Sequence, residues 1–227
     1  MQLFLDGSDI DKIRKYCGIG LIDGVTTNPS IILKSGKNMI EVISELAGIV
    51  SGSVSAEVSA LDSDTMVQEG IKLAEIAENV TVKLPITWDG LKACKTLSNK
   101  GISVNMTLCF SSSQALLAAK AGAEYVSPFI GRLDDLNLEG IDLISDIKLI
   151  YSNYKFSTKV LAASIRTVNH VKQCACLGAD VATIPLDIFE KLVKHPLTLS
   201  LIHISEPTIR TPMSYAVFCL KKKRGGG

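Results

Sequence analysis

Eight short apolar segments that favour β-strands recur along the chain, with helix-like segments between them. The strands are predicted at residues 2–6, 24–28, 53–59, 81–85, 103–108, 125–129, 159–164 and 181–185. Gly101, Gly122 and Gly178 each follow a helical segment and precede a strand, as is typical of glycine at helix C-termini. The pattern therefore predicts alternating strands and helices.

Two of the predicted helices have a clear apolar face. The helix at residues 39–50 is expected to bury a face that consists of Ile40, Ile43, Leu46, Ala47 and Val50. The helix at residues 66–77 is expected to bury Val67, Ile71, Ala74 and Ile76.

Eight strand-helix units within about 195 residues indicate an α/β fold, a single (β/α)8 barrel of the TIM type. A doubly wound open sheet is the alternative. A dinucleotide-binding fold of that type would carry a Gly-x-Gly-x-x-Gly motif after the first strand, and this sequence has none there.

Unusual polar residues cluster where the predicted strands end, and functional side chains of such barrels collect at the carboxyl ends of strands. In chain order they are Asp6, Thr26, Asn28, Glu57, Lys83, Asn105, Thr107, Ser127, Phe129, Arg132, Ser164 and Arg166. Strand alternation turns Glu57 away from Val58 and Lys83 away from Val82, so carboxylates from separate strands can converge on one lysine. Alone, Asp6 could bind backbone groups and Glu57 a surface cation.

Lys83 lies within the apolar segment 80–86, where a buried strand does not need a cation. Burying an ammonium group without a partner costs several kcal/mol, and release of its proton leaves an amine that attacks carbonyl groups. The alternative is that Lys83 extends its ammonium from the strand end to water.

The bulk composition fits one globular domain without a membrane segment. The chain has 227 residues, of which 47% are hydrophobic, and no apolar run approaches the length of a membrane span. The N-terminus begins directly with a strand-like segment and has no basic signal region, so we expect a cytoplasmic protein. Six cysteines without a Cys-x-x-Cys pair and three histidines without ligand spacing predict reduced thiols and no metal site. Redox pairing of Cys174 with Cys176 is a less favoured alternative to two ordinary thiols.

Residues 199–227 differ in character from the rest. The segment 199–208 resembles a translated sequencing-library adapter, and the terminal lysines, arginine and glycines match the translation of an A run passing into a G run. We expect a barrel domain at residues 1–198, a non-native tail at 199–227 and the loss of the natural C-terminus. Without the tail the chain carries 19 basic and 22 acidic residues, a net charge of −3, so nothing points to nucleic acid.

Several motifs together resemble the transaldolase family over residues 1–198. They are Leu5-Asp6, the Thr-Thr-Asn-Pro-Ser run at 26–30, Val-Lys-Leu-Pro at 82–85, Ser-Pro-Phe-Ile-Gly-Arg at 127–132 and Ala-Ala-Ser-Ile-Arg-Thr at 162–167. The length resembles the small branch, which includes the fructose-6-phosphate aldolases. The resemblance implies a class I enzyme without metal or cofactor.

The resemblance also implies roles for the site residues. Lys83 forms a Schiff base with a ketose phosphate, Asp6 is the general base, and Glu57 with a water held by Thr107 moves protons. Asn28 and Asn105 bind hydroxyl groups of the dihydroxyacetone unit. The phosphate is expected at Arg132 and Arg166, with Ser164 as a further donor, and guanidinium groups suit phosphate oxygens. The remaining substrate-binding residues are Thr26, Ser127 and Phe129.

Two of these roles are open on the residues alone. Either arginine could instead form a salt bridge at the barrel rim, and Thr26 either orients Asp6 or only packs the barrel.

Three functions are considered. The aldolases are similar but carry glutamine in place of Glu57 and tyrosine in place of Phe129, so transaldolase activity in the pentose phosphate pathway is preferred to fructose-6-phosphate aldolase. A non-catalytic phosphosugar-binding or scaffold barrel would predict damage to the lysine, carboxylates or arginines, and the sequence shows none.

The family's final helix packs on neighbouring subunits, so we expect a homo-oligomer such as a decamer for the native protein, and poor assembly for a chain without that helix.

Overall fold

Eight parallel strands close into a barrel in the order in which they occur in the chain. The structure is a computed structural model that describes residues 1–29, 32 and 38–204. The strands are β1 (Gln2–Asp6), β2 (Gly24–Thr26), β3 (Val54–Glu57), β4 (Val80–Pro85), β5 (Val104–Cys109), β6 (Tyr125–Pro128), β7 (Lys159–Ala162) and β8 (Val181–Pro185). Pairing of β1 with both β2 and β8 closes the barrel, which confirms the (β/α)8 fold and excludes the open sheet.

Helices follow the strands along the chain. They are α1 (Ile10–Cys17), α2 (Met39–Ile49), α3 (Ser63–Ala74), α4 (Trp88–Asn99), α5 (Ser112–Ala121), α6 (Ile130–Asp134), α7 (Gly140–Tyr154), α8 (Val168–Cys176), α9 (Leu186–Phe189) and α10 (Pro196–Ile204). Among the residues that the structure describes, no helix is both long and apolar enough to cross a membrane.

Local sequence sets where many of these helices start and stop. Side-chain oxygens accept a hydrogen bond from the first helical turn at Asp9, Asn38, Asp62, Thr87, Ser111 and Thr167. Gly101, Gly122 and Gly178 have φ values of 78°, 92° and 75°, which confirms the predicted glycine ends.

The predicted faces of two helices are partly wrong. In α2 the buried residues are Val42, Ile43 and Leu46, whereas Ile40 is exposed. In α3 the buried residues are Met66, Gly70 and Leu73 rather than the set that begins with Val67. The α3 face includes Gly70 because a Cβ there would lie 2.8 Å from Leu97 Cδ1, so α3 approaches α4 closely.

The barrel interior is polar on one side and apolar on the other. Hydroxyl groups of Ser53, which precedes β3, and Thr81 of β4 lie 2.7 Å apart, and Ser103, which precedes β5, continues this row at 3.2 Å from Thr81. The opposite side is an apolar cluster of Phe4, Tyr125, Leu161, Ala163 and Val181. Nearer the carboxyl ends of the strands, polar side chains also enter the interior from β1, β6 and β8, through Asp6, Ser127 and Thr183.

The chain divides into two compact units, Met1–Lys191 and Leu192–Gly227. All eight strands belong to the first unit, and the described part of the second contains α10. The boundary at residues 198 and 199 and the non-native origin of the tail stay predictions, and residues 205–227 lie outside the described part of the chain.

Candidate active site

Three polar side chains share one level of the barrel because their strands are in register. Glu57 of β3 pairs with Lys83 of β4, and Lys83 pairs with Asn105 of β5. In a parallel barrel, register partners point to the same side of the sheet. The backbone ladder alone therefore places a carboxylate and an amide on either side of the lysine.

Lys83 forms a buried ion pair. Its Nζ donates to Glu57 Oε2 at 2.9 Å and to the carbonyl oxygen of Thr27 at 3.3 Å. The side chains are 9% and 18% exposed, so the pair is largely removed from water. Lys83 does not extend to solvent, and its ammonium has a carboxylate partner from the neighbouring strand. Glu57 is thus placed to receive a proton directly from the lysine.

Asp6 ends β1 and accepts a hydrogen bond from Thr26 Oγ1 at 3.0 Å. Burial raises the pKa of the Asp6 carboxyl above its ordinary value; the charge of Lys83 and the bond from Thr26 oppose the rise, and Glu57 adds to it. Thr26 therefore contacts Asp6 in addition to packing in the barrel, and its role in orienting the carboxylate stays a prediction. A carboxylate with a raised pKa is suited to accept a proton.

Asn105 is fully buried and belongs to a polar network. Its Oδ1 accepts from Ser127 Oγ at 2.7 Å, and its Nδ2 donates to Ser55 Oγ at 3.3 Å. These bonds fix the orientation of the amide. Ser127 in turn lines a cavity at the carboxyl ends of the strands.

Thr107 is a buried side chain whose Oγ1 has no hydrogen-bond partner among the residues that the structure describes. The next residue, Leu108, has a φ of 58°, and the pairing of β5 with β6 shifts register between Met106 and Cys109. A left-handed leucine costs about 1–2 kcal/mol, so the strand end is held by its surroundings. An orphaned hydroxyl beside a polar cavity is a typical seat for a water molecule.

These groups surround a cavity of about 230 Å³ at the carboxyl ends of the strands. Ten of the twelve predicted site residues line it, namely Asp6, Thr26, Asn28, Lys83, Thr107, Ser127, Phe129, Arg132, Ser164 and Arg166. The other two, Glu57 and Asn105, are not in the cavity wall. Each forms a hydrogen bond with a wall residue: Glu57 accepts from Lys83, and Asn105 accepts from Ser127.

Two arginines give the cavity mouth its positive charge. Arg132 is exposed and has no ion pair with any side chain in the described ranges. Arg166 Nη2 lies 3.0 Å from Asp135 Oδ2, so the predicted alternative of a rim salt bridge is realised for Arg166 while it still lines the cavity. Ser164 also lines the cavity and has a φ of 58°, a strained conformation.

A larger cavity of about 470 Å³ contains none of the predicted site residues. Its lining includes the strand starts at Val80, Val104 and Tyr125, so it lies at the amino end of the barrel. Of the described residues, Glu78 and Glu124 line it and no lysine or arginine does. An anionic substrate therefore suits the smaller cavity, which has two arginines, better than this larger cavity with its two glutamates.

Sequence reasoning missed three contributors to the site. Thr183 lines the cavity and contacts Thr26, Asp135 pairs with Arg166, and Ser55 binds Asn105. Thr183 and Ser55 share the alternation of interior positions on their strands, which was the available signal. Asp135 follows the short helix α6 and carries no such periodic signal.

The cysteines offer no competing nucleophile inside the barrel. Within the described ranges Cys17, Cys94, Cys109, Cys174 and Cys176 are free thiols, so Cys174 and Cys176 do not form a disulfide, while Cys219 lies outside those ranges. Burial raises the pKa of Cys109, which ends β5, to about 12. In the same part of the chain, no cluster of three or more histidine, cysteine or acidic side chains could hold a metal ion.

Comparison with known proteins gives a consistent result. A family model described as transaldolase/fructose-6-phosphate aldolase matches residues 3–222. A probable transaldolase from Roseobacter denitrificans is 64% identical over 198 residues, which cover 87% of this chain and 91% of that protein. Probable transaldolases from a Ruegeria species and from Parvibaculum lavamentivorans are each 60% identical, with the same coverage of both chains. With this match and a closed barrel that buries a lysine beside two carboxylates, the chain belongs to the transaldolase/fructose-6-phosphate aldolase family.

Proposed function

We propose that this protein is a transaldolase. It transfers a dihydroxyacetone unit from a ketose phosphate, such as sedoheptulose 7-phosphate or fructose 6-phosphate, to an aldose phosphate. The observation that carries the proposal is the buried pair of Lys83 and Glu57, with Lys83 and Asp6 both in the wall of a cavity that has a cationic mouth. Membership of the family and the names of the relatives support the same reaction class.

The first step is formation of a Schiff base at Lys83. Lys83 transfers a proton to Glu57, which is already hydrogen bonded to it at 2.9 Å, and the neutral amine attacks the C2 carbonyl of the ketose. Loss of water from the carbinolamine gives an iminium ion. Glu57 and a water molecule at the orphaned Oγ1 of Thr107 supply and remove the protons that this dehydration requires.

The second step breaks the C3–C4 bond. Asp6 takes the proton of the C4 hydroxyl, the bonding electrons move into the iminium, and an aldose phosphate leaves. The raised pKa of Asp6 favours this uptake of a proton. The remaining enamine on Lys83 adds to the carbonyl carbon of an acceptor, which regenerates an iminium ion, and Asp6 returns the proton to the new hydroxyl. Water then hydrolyses this iminium, which releases the product ketose phosphate and restores the amine of Lys83.

Substrate orientation follows from the polar groups of the wall. Asn28 lines the cavity, and Asn105 lies directly behind Ser127. These amides bind the hydroxyl groups of the dihydroxyacetone unit, Asn105 in concert with Ser127. The phosphate lies between Arg132, Arg166 and Ser164, where charge-assisted hydrogen bonds compensate its desolvation.

The transfer reaction is favoured over simple aldol cleavage by two side chains. Glu57 supplies a carboxylate at the lysine, whereas the aldolases that the sequence resembles carry a glutamine there. Phe129 places a ring without a hydroxyl group in the cavity, packed against Phe110 at 5.7 Å between ring centroids. Cytoplasmic location, a place in the pentose phosphate pathway and assembly into a homo-oligomer stay predictions.

Borohydride trapping tests the proposal. The protein is incubated with fructose 6-phosphate without acceptor, reduced, digested and examined by peptide mass spectrometry. We expect a reduced three-carbon adduct on Lys83. Lys83→Ala abolishes the adduct, whereas Asp6→Ala still traps the intact ketose but does not cleave it.

Lys159→Ala is the matched control, since Lys159 also forms an ion pair, with Glu124 at 2.8 Å, and does not line the cavity. It should trap as the wild type does. Absence of an adduct on folded wild-type protein would contradict the proposal and favour the non-catalytic barrel.

A further inference from the structure

A row of two hydroxyl groups leads from β8 to the carboxylate of Asp6. Thr26 Oγ1 lies 3.0 Å from Asp6 Oδ1, and the Oγ1 atoms of Thr26 and Thr183 are 2.6 Å apart. Thr26 and Thr183 are only 3% and 4% exposed, so bulk water does not replace either contact. Three strands that are neighbours in the ring, β8, β1 and β2, contribute one member each.

Counting protons fixes the direction of these hydrogen bonds. An ionised carboxylate only accepts, and each threonine hydroxyl has a single proton to donate. When Thr26 gives its proton to Asp6, the short contact with Thr183 requires Thr183 to be the donor. The row therefore runs from Thr183 to Thr26 to Asp6 whenever Asp6 is ready to act as a base.

We propose that Thr183 is a positioning residue for the catalytic carboxylate and acts on Asp6 through Thr26. Its hydrogen bond holds the Thr26 hydroxyl in the orientation that donates to Asp6. Hydrogen bonds in such a row also polarise one another, so the donor at its far end strengthens the bond at Asp6. The inference rests on the proposed function, because it assigns Thr183 a role in carbon–carbon bond cleavage.

Packing alone does not account for a hydroxyl at this position. The interior neighbour on the same strand, Val181, is apolar and belongs to the apolar cluster of the barrel. Valine at 183 would have nearly the shape of threonine and would leave no hydroxyl to be satisfied. Thr183→Val is therefore the informative change, and Thr183→Ser keeps the hydroxyl as its matched control.

Kinetics of four variants tests the role. With fructose 6-phosphate and an aldose phosphate acceptor, Thr183→Val should lower kcat about 3- to 10-fold, the effect of losing one net hydrogen bond, with little change in KM. Thr183→Ser should restore kcat to within about twofold. In a Thr26→Val background, Thr183→Val should have no further effect, because its route to Asp6 is already broken.

Titration of Asp6 separates this inference from the proposed function. Carbon-13 NMR of the labelled Asp6 carboxyl measures its pKa without turnover. The variants leave unchanged the other titratable groups that act on Asp6, which are Lys83 of β4 and Glu57 of β3. Weaker donation from Thr26 disfavours the ionised form, so Thr183→Val should raise the pKa of Asp6 and move the acid limb of kcat upward.

The outcomes are decisive in either direction. A higher Asp6 pKa and a lower kcat in Thr183→Val, both reversed in Thr183→Ser, support the inference. The inference is overturned if the Asp6 pKa is the same in the wild type and in all variants. It is also overturned if Thr183→Val lowers kcat as much in the Thr26→Val background as in the wild type. Failure of wild-type protein to trap fructose 6-phosphate would contradict the proposed function, while the Asp6 titration would still decide whether Thr183 acts on the carboxylate.

Discussion

Asp135 Oδ2 lies 3.0 Å from Arg166 Nη2, so one of the two guanidinium groups at the cavity mouth is already paired with a carboxylate. Both side chains are about half exposed, at 48% and 49%. A phosphate that binds Arg166 therefore competes with Asp135 or shares the guanidinium with it, whereas Arg132 has no such competitor among the described side chains.

Asp135→Asn should strengthen binding of phosphorylated substrates. An exposed ion pair contributes about 1 kcal/mol or less, so KM for the ketose phosphate should fall by no more than about fivefold, with kcat unchanged. Steady-state kinetics at low and high salt measures the effect. Glu45→Gln is the control, because Glu45 pairs with Arg14 at the same 3.0 Å on a different surface. A higher KM would instead show that Asp135 holds Arg166 in its productive position.

Thr107→Val should separate stability from activity. The Thr107 hydroxyl is buried and has no partner in the described part of the chain, so its removal should leave the free energy of unfolding unchanged or slightly higher. Schiff-base formation should slow about 10- to 100-fold if the hydroxyl holds the water that moves protons.

The stability control is Thr158→Val. The buried Thr158 donates to the carbonyl oxygen of Ala123 at 2.8 Å, so this change should cost about 1–2 kcal/mol. Urea denaturation measures both variants. Equal destabilisation of the two would show that Thr107 has a partner of comparable strength.

Asp6→Asn should stabilise the protein at neutral pH while it removes cleavage activity, by about 10²- to 10⁴-fold. The pKa of Asp6 is raised on folding, so the folded state favours the protonated form and loses stability as pH rises from 3.8 through the folded pKa. Asparagine avoids that loss. Thermal unfolding at several pH values should show a gain at pH 7 that shrinks toward pH 4. A gain independent of pH would contradict this explanation.

Leu108→Ile should be more destabilising than its conserved volume suggests. Leu108 has a φ of 58°, and β-branched side chains tolerate this region poorly, so a loss of about 1–2 kcal/mol is expected. Leu117→Ile is the matched control, because Leu117 is equally exposed at 41% but lies in α5. Chemical denaturation compares the two. Similar losses would mean that Leu108 relaxes out of the left-handed conformation.

Strand positions in this protein were predictable because alternation is a strong local signal. Lys83 and Glu57 stood out as charges in segments that otherwise satisfy a buried strand, and a closed parallel barrel leaves few places for such charges except its carboxyl end. The predicted bounds of β1 and β8 agree with the structure. The other strands differ from the predicted bounds by one or two residues at one or both ends, because hydrogen-bond pairing rather than composition sets where a strand ends.

The helix faces and the hydroxyl contacts were harder to predict. In α2 apolar residues surround much of the helix, so periodicity does not distinguish Ile40 from Val42, and packing against the barrel decides. In α3 the buried Gly70 has no hydropathy signal. Thr183 resembles any β-branched strand residue until the closed ring brings it to Thr26, a partner 157 positions away in the chain.

The shared level of Glu57, Lys83 and Asn105 has a consequence for how the protein can evolve. These positions are fixed by backbone pairing inside the ring, whereas Arg132 and Arg166 stand on segments that follow the strands. The ladder positions and the phosphate-binding arginines can therefore mutate independently. Laboratory selection for new acceptor aldehydes should concentrate substitutions after β6 and β7 and leave the three ladder positions untouched.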